Sequence, residues 1–270
     1  MYRSTDGVSY SLLATIAASS NSYSDTTITA GTTYYYKVAA YNVGGETLSS
    51  AVTANTLTLN LAAWWKMDEA AGVNRADSVG SSTAVLNGTV AQATGKVSNG
   101  ASFNGNIANF LSVADNAAIN PAATSWTIAF WYKLNSSANQ GFIAKIGGSG
   151  GNEFIIDVTT VPVLRLLFYG ATTANVTVTP TLNTTTFYAI RAWYDLPTNK
   201  IWLQWHNGTA ASADAPSGGI NVSNGSLRFG VFDGSSRPGN SIEDEIGFWR
   251  RALTADEWTA FLAGITYSFS

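Results

Sequence analysis

The sequence predicts an all-β protein, an antiparallel β-sandwich of jelly-roll type, and three observations predict it. Between residues 62 and 249 a dozen strand-like runs recur with turn signals between them and no helix among them, a pattern that two packed antiparallel sheets accommodate most simply. Only 11% of the residues are charged, well below the roughly 25% usual in soluble domains, so the polar surface must come from Thr, Ser, Asn and Gly. Such a composition suits exposed sheet faces, where Thr is favoured. The one good helical pattern, residues 254–264, follows all the strands.

Taken in order, residues 1–58 form a first β-rich unit. Residues 9–17 and 22–28 are short β-like runs, and in residues 32–42 Tyr34, Tyr36, Val38 and Ala40 alternate with Thr33, Tyr35, Lys37 and Ala39. Leu57 to Ala62 is too short and too apolar for a flexible linker, which predicts two domains in close contact, 1–58 and 59–270. The strand-like runs of the second are 62–69, 101–105, 110–115, 125–134, 141–148, 152–158, 163–170, 174–180, 185–195, 199–208, 226–232 and 242–249. In the last, alternation places Ile242, Asp244, Ile246 and Phe248 on one side and Glu243, Glu245, Gly247 and Trp249 on the other. Thr254 and Glu257 then form a capping box, Trp258, Phe261 and Leu262 form one apolar stripe, and Gly264 tolerates the left-handed end of a helix. The helix is expected to act as a lid on the sandwich.

Fourteen basic against 17 acidic residues leave a net charge of −3, and no basic run occurs. Phosphate neutralisation, and with it nucleic-acid binding, is excluded on this ground. The absence of cysteine excludes disulfides and thiol chemistry, and one histidine, His206, cannot make a zinc site of several His ligands. The N-terminal residues MYRSTDG lack the basic and apolar regions of a signal peptide, and no apolar run of about 18 residues is present to span a membrane. A soluble chain is expected, one that would leave a cell by lysis or another route, or be a fragment of something longer.

Ile28 to Tyr34, I-T-A-G-T-T-Y, together with YRSTDG and YNVGGETLSSAVTANT, resembles the later strands of a fibronectin type III domain, an Ig-like sandwich. Tyr34 matches the tyrosine of that family's E–F corner. The first strands of the family pattern are missing. Either the sequence begins within the domain, or a partner completes the unit by β-augmentation, a capsid, a tail or another copy of the chain. The second part resembles the laminin-G-like branch of the concanavalin-A-like lectin/glucanase superfamily through WWKMDEAAG with ADSVG, GKVSNGASFNG, SWTIAFWYKL, and DEIGFWRRALTADE following WYD and NKIWLQWHNGT. The fold class implied is an antiparallel laminin-G-like jelly roll preceded by an incomplete fibronectin-III sandwich. That fold hosts lectins, adhesion modules and glycosidases alike.

The resemblance implies a structural calcium ion, with Asp68, Asp77 and Asp244 as matching ligands. Asp68 and Asp77 are nine apart with a Gly between them, so one loop can bring both to a hard cation. The other reading is that Asp68 and Asp77 cap turns and Asp244 pairs with Arg250 or Arg251. Glu243 and Glu245 share a strand face about 6.5 to 7 Å apart, inside the roughly 6.5 to 9.5 Å window of inverting glycosidases. EDEIG nevertheless lacks the third carboxylate of the superfamily's glucanase motif, E-x-D-x-x-E, so a non-catalytic protein is expected. Sugar recognition needs aromatic faces beside amides and charges. Trp202, Gln204 and His206 share one face of their strand, and Arg191 and Trp193 one face of the neighbouring strand. Together they define a candidate glycan groove, the alternative being a solvated outer face with side chains lying flat. Trp64, Trp126, Trp131, Trp249 and Trp258 fall on core patterns.

The expectation is a non-catalytic surface-display or adhesion protein, extracellular or on a virion, whose second domain binds glycans or other cell-surface ligands. The lack of a signal peptide, the methionine start within a domain and the cysteine-free, Thr- and Asn-rich composition favour a bacteriophage decoration or fibre-type component. The alternative is a carbohydrate-binding module of a larger secreted polysaccharide-degrading or adhesin protein.

Overall fold

The structure, a computed structural model, describes residues 1–17, 20, 22–23, 25, 27–28, 32–55, 60–120, 124–147, 151–160, 162–232 and 236–264. Two compact units result, one holding the N-terminal strands and the C-terminal helix, the other residues 60–252. The expected domain boundary at residues 58 and 59 lies outside the described residues.

In the first unit β1 (Tyr2–Ser4), β2 (Ser11–Leu12), β3 (Thr33–Lys37) and β6 (Val52–Asn55) form one antiparallel sheet in the order β2-β1-β3-β6, while β4 (Ala39–Asn42) and β5 (Gly45–Leu48) form a separate hairpin. Buried Tyr34 lies under the Arg3 guanidinium, 4.9 Å from the ring centroid. The expected corner around it passes through residues 29–31, outside the described residues. Helix α1 (Ala255–Leu262) carries the capping box: Thr254 N donates to Glu257 Oε2 at 2.9 Å, and Glu257 N donates to Thr254 Oγ1 at 3.3 Å. Trp258 and Phe261 are buried, and Gly264 has φ +69°. Contrary to the expected lid, α1 belongs to the unit of the N-terminal strands. Capping and an apolar stripe specify a helix with one greasy side, but not which surface receives it.

The second unit is a two-sheet sandwich. Its strands are β7 (Leu61–Trp65), β8 (Val85–Asn87), β9 (Ala91–Thr94), β10 (Asn99–Ser102), β11 (Phe110–Val113), β12 (Trp126–Leu134) and β13 (Gln140–Ile146), then β14 (Phe154–Thr160), β15 (Val163–Tyr169), β16 (Thr173–Val178) and β17 (Tyr188–Asp195), and finally β18 (Lys200–Trp205), β19 (Ala211–Asp214), β20 (Ser226–Phe229) and β21 (Ser241–Trp249). One sheet runs β19-β18-β17-β12-β21-β10-β9 with β7 also on β21; the other runs β16-β15-β14-β13-β20-β11-β8. All pairings between them are antiparallel. Alternation turns Ile128, Phe130, Ile190, Ala192, Ile201 and Leu203 of the first sheet, and Phe154, Ile156, Leu166, Phe168 and Phe229 of the second, into one shared core. Trp126 ties the layers together: it stacks on Phe248 of its own sheet at 5.6 Å and meets Phe154 and Phe168 of the facing sheet at 4.8 and 5.4 Å.

Strand β21 departs from the expected alternation. Ala129 pairs with Gly247 but Trp131 pairs with Asp244, so Glu245 and Ile246 together face Phe130. This is a β-bulge, and Glu245 takes the left-handed φ of +50° that it requires. Ile246 and Phe248 point into the core as expected, whereas Asp244 and Ile242 lie on the outer side. Glu243 faces inward opposite Tyr132 and Ala101, both core residues. Beyond the bulge, Gly247 is outward, where a Cβ would come within 2.3 Å of Trp249 and 2.8 Å of Trp64. Only glycine lets those two rings meet edge to face at 5.8 Å.

Because Trp126 is fully buried and contacts both sheets, Trp126→Ala is expected to lower stability by about 3–5 kcal/mol. Urea unfolding followed by circular dichroism measures this, and a loss of under about 1 kcal/mol would contradict the placement of the core.

Candidate functional site

The outer face of the β18–β17–β12 strands collects the five residues singled out for ligand binding. Trp193 pairs across the ladder with Trp202, and Arg191 with Gln204. His206 N donates to Ala189 O at 2.8 Å, which continues the same row. Their neighbours Ile190, Ala192, Ile201 and Leu203 face the core, so these five face away from it. The two indoles are parallel, with centroids 5.4 Å apart and planes 4° apart. The Arg191 guanidinium lies 4.3 Å from the Trp193 centroid and donates to Gln204 Oε1 at 2.5 Å, and Gln204 Nε2 in turn donates to Gly208 O at 2.9 Å. Each side chain is therefore held by its neighbour. The row is a braced ladder and is not equally open: Trp193 is 8% exposed and Arg191 6%, while Trp202, Gln204 and His206 are half-buried.

His206 has φ +41° and meets Trp131 edge-on at 5.5 Å, and the Lys96 ammonium lies 4.6 Å from the same indole centroid. Burial, and after it the charge of Lys96, holds the imidazole below its usual pKa, so it is neutral near pH 7. Trp131 and Lys96 are absent from the sequence-derived set. Trp131 reads as one more core aromatic in SWTIAFWYKL; only its parity, opposite to Phe130 and Tyr132, signals the outer face.

The three aspartates expected to share calcium do not converge. Asp77 Oδ1 accepts from Trp64 N and Val79 N, and Oδ2 from Ser82 N, all at 3.0 Å. Both oxygens are thus spent on backbone donors of its own loop and its neighbour β7. Asp68 Oδ1 accepts from Asn99 N at 2.9 Å. Asp244 Oδ2 accepts from Lys96 N at 2.7 Å and Val97 N at 2.9 Å, and its Oδ1 is buried with no hydrogen-bond partner among the described residues. The loop reaches Asp244 because residue 95 is glycine; a Cβ there would lie 2.6 Å from Asp244 Oδ2. Asp68 is close enough to raise the pKa values of Asp244 and Glu245, so these three form the actual acidic group. Among the described residues no three carboxylates or imidazoles stand at metal-ligand spacing.

The paired-carboxylate geometry also fails. Glu243 is fully buried and faces the core, while Glu245, within the bulge, accepts from Trp64 Nε1 at 2.6 Å. Burial drives the Glu243 carboxyl well above its usual value, Asp244 up to about 8 and Glu245 up to about 7.

This chain belongs to the concanavalin A-like lectin/glucanases superfamily, whose laminin-G pattern matches residues 104–257, more than half of its length. A comparison with the curated proteins finds no significant match. Among solved structures it is similar to the binding domain of Paraclostridial Mosquitocidal Protein 1, at 15% identity and a TM-score of 0.62 over 77% of this chain and 53% of that one. It is similar to domain 4 of AbnA, an extracellular arabinanase of Geobacillus stearothermophilus solved in complex with arabinotriose, at 17% identity and a TM-score of 0.58 over 75% of this chain and 98% of that domain. A third is the binding domain of Botulinum Neurotoxin DC in complex with SialylT, at 11% identity and a TM-score of 0.60 over 78% and 53%. The chain spans about half the length of the toxin binding domains. At these identities the likeness establishes the fold.

The raised carboxyls fix the sign of one pH dependence. In the folded state Asp244 and Glu245 keep protons that the unfolded chain has released, so their contribution to stability is full below the unfolded values, 3.8 and 4.5, and is lost as pH rises through about 8 and about 7. With chelator present, urea unfolding is expected to give lower stability at about pH 8 than at about pH 5, and Asp244→Asn, which keeps an acceptor but cannot titrate, is expected to flatten that difference. Equal slopes in the two proteins would overturn the assignment.

Proposed function

We propose that the chain is a non-catalytic surface-display or adhesion protein acting outside the cell, and that the outer face of β17 and β18 binds glycans. One observation carries this reading: the parallel Trp193–Trp202 pair, braced by Arg191 and flanked by Gln204 and His206. Aromatic faces stack on the apolar faces of pyranose rings, while amides and cations bond the hydroxyls. Within the pair the roles divide. Trp193, nearly buried, supports; Trp202, at the open side, offers its surface to a sugar. A fixed ring loses little rotamer freedom on binding, so more of the stacking energy appears as affinity. Family membership and the sugar complexes of the arabinanase domain and the neurotoxin binding domain support the reading.

The finer placement remains the virion surface, as a bacteriophage decoration or fibre-type component, with a partner strand completing the sheet β2-β1-β3-β6. A second reading, a carbohydrate-binding module of a larger secreted polysaccharide-degrading or adhesin protein, is favoured by a specific observation: the match spans 98% of the arabinanase domain. Calcium belongs to the same proposal in reduced form. Asp68 and the unpartnered Oδ1 of Asp244 are suited to a hard cation completed by backbone carbonyls, while Asp77 is occupied by its turn.

A glycan array with and without calcium, followed by calorimetry on the best hit, tests the binding face. Trp202→Ala is expected to weaken binding at least tenfold, about 1.4 kcal/mol, in a protein that still unfolds in one cooperative transition. Binding that survives both Trp202→Ala and Trp193→Ala would remove the site. For calcium, the expected result is a higher unfolding temperature with millimolar calcium than with chelator, lost in Asp244→Asn; an identical temperature in both buffers would remove the ion.

A further inference from the structure

Among the described residues of the sandwich, Lys145 is the one lysine that is fully buried. It lies on β13, on the same side as core Ile143 and opposite core Phe154, and is 0% exposed. Its Nζ is 2.8 Å from Asp115 Oδ1, 2.6 Å from Glu153 Oε1 and 3.4 Å from Ser223 O. Glu153 is also 0% exposed. Its Oε1 additionally accepts from Ser223 N at 2.8 Å and Oγ at 2.9 Å, and its Oε2 is buried with no hydrogen-bond partner among the described residues. Asp115 differs from both in that its side chain is 24% exposed.

One ammonium thus faces two carboxylates in a place that disfavours net charge. The low-dielectric surroundings favour neutral forms, and burial accordingly raises the Glu153 carboxyl above its usual value. A proton moved from Lys145 to Asp115 leaves an amine against a carboxylic acid, and a desolvated lysine amine is a competent nucleophile. From these positions we propose that Lys145 and Asp115 condense into an intramolecular amide, with Glu153 as the group that moves protons between them. Nζ attacks Cγ of Asp115 and the C–N bond forms. Glu153, as the acid, gives its proton to the departing hydroxyl and recovers one from Nζ as the C–O bond breaks. One water is released, no oxidant or other reactant is consumed, and the partly exposed side of Asp115 gives the water a way out. Holding the two groups in contact replaces a bimolecular encounter and so removes the entropic part of the barrier. The chain contains no cysteine, so this bond would be its covalent cross-link. It would join the segment after β11 to β13 across the intervening β20 and limit the unfolded chain as a disulfide does.

Intact-mass spectrometry of the full chain tests the proposal. The expected mass is that of the sequence less one water, and tandem spectra of a digest should show one branched peptide joining residues 115 and 145. Asp115→Ala and Glu153→Gln are each expected to restore the full sequence mass. A wild-type mass equal to that of the sequence would overturn the bond whether or not either variant folds, as would a mass deficit that persists in Asp115→Ala.

Discussion

The bulge at Glu245 is the constraint on which the sandwich depends. Strand β21 pairs with β12, β10 and β7, so its register is shared by much of the eight-stranded sheet. Had the alternation continued unbroken, Asp244 would share a face with Ile246 and Phe248 and would lose the backbone donors at Lys96 and Val97. Inserting one residue reverses the parity. The core keeps its two large apolar side chains, and Asp244 turns to the backbone donors at Lys96 and Val97. A left-handed glutamate costs on the order of 1 kcal/mol. The same reversal turns Glu243 inward in place of Asp244, and burial there pushes its carboxyl well above the usual value.

How far the sequence could be read follows from the same physics. All twelve expected runs are strands, because alternation or a continuous apolar run bounded by turn residues marks them. The Thr254–Glu257 capping box was equally legible, since both partners are local. So was the neighbourhood of Arg191, Trp193, Trp202 and Gln204, because the short turn between β17 and β18 fixes their register. The bulge was hidden. The pattern I-x-D-x-I-x-F runs through it without a break, and no glycine or proline stands at Glu245 to mark it. Asp77 shows a different limit: an aspartate before Ser-Val-Gly fits a calcium loop and a turn cap alike, and only the positions of Trp64, Val79 and Ser82 decide.

The candidate binding face and the acidic group lie on the same sheet and are built on opposite principles. Arg191, Gln204 and the two tryptophans brace one another through the stacked indoles and the Arg191–Gln204 hydrogen bond, so the face is ordered in advance of any ligand. Asp68, Asp244 and Glu245 do the reverse: acidic groups are brought together, and burial with their mutual repulsion raises the pKa values of Asp244 and Glu245. Lys96 connects the two, its backbone donating to Asp244 and its ammonium lying over Trp131 beside His206. A change of charge at Asp244 therefore bears on the segment that borders the ladder.

Three strands escaped the sequence reading, β8, β9 and β19, and their obscurity has a use. They are three or four residues long, β9 and β19 are built from Ala, Gln, Thr, Ser and Asp, and each of the three stands at the end of a sheet. A sheet edge offers unpaired backbone groups to any passing strand, and a chain with so few charges cannot rely on repulsion to keep copies apart. Short margins give an incoming strand little to grip. The brevity that conceals these edges from a search for strands also limits edge-to-edge pairing between copies of the chain.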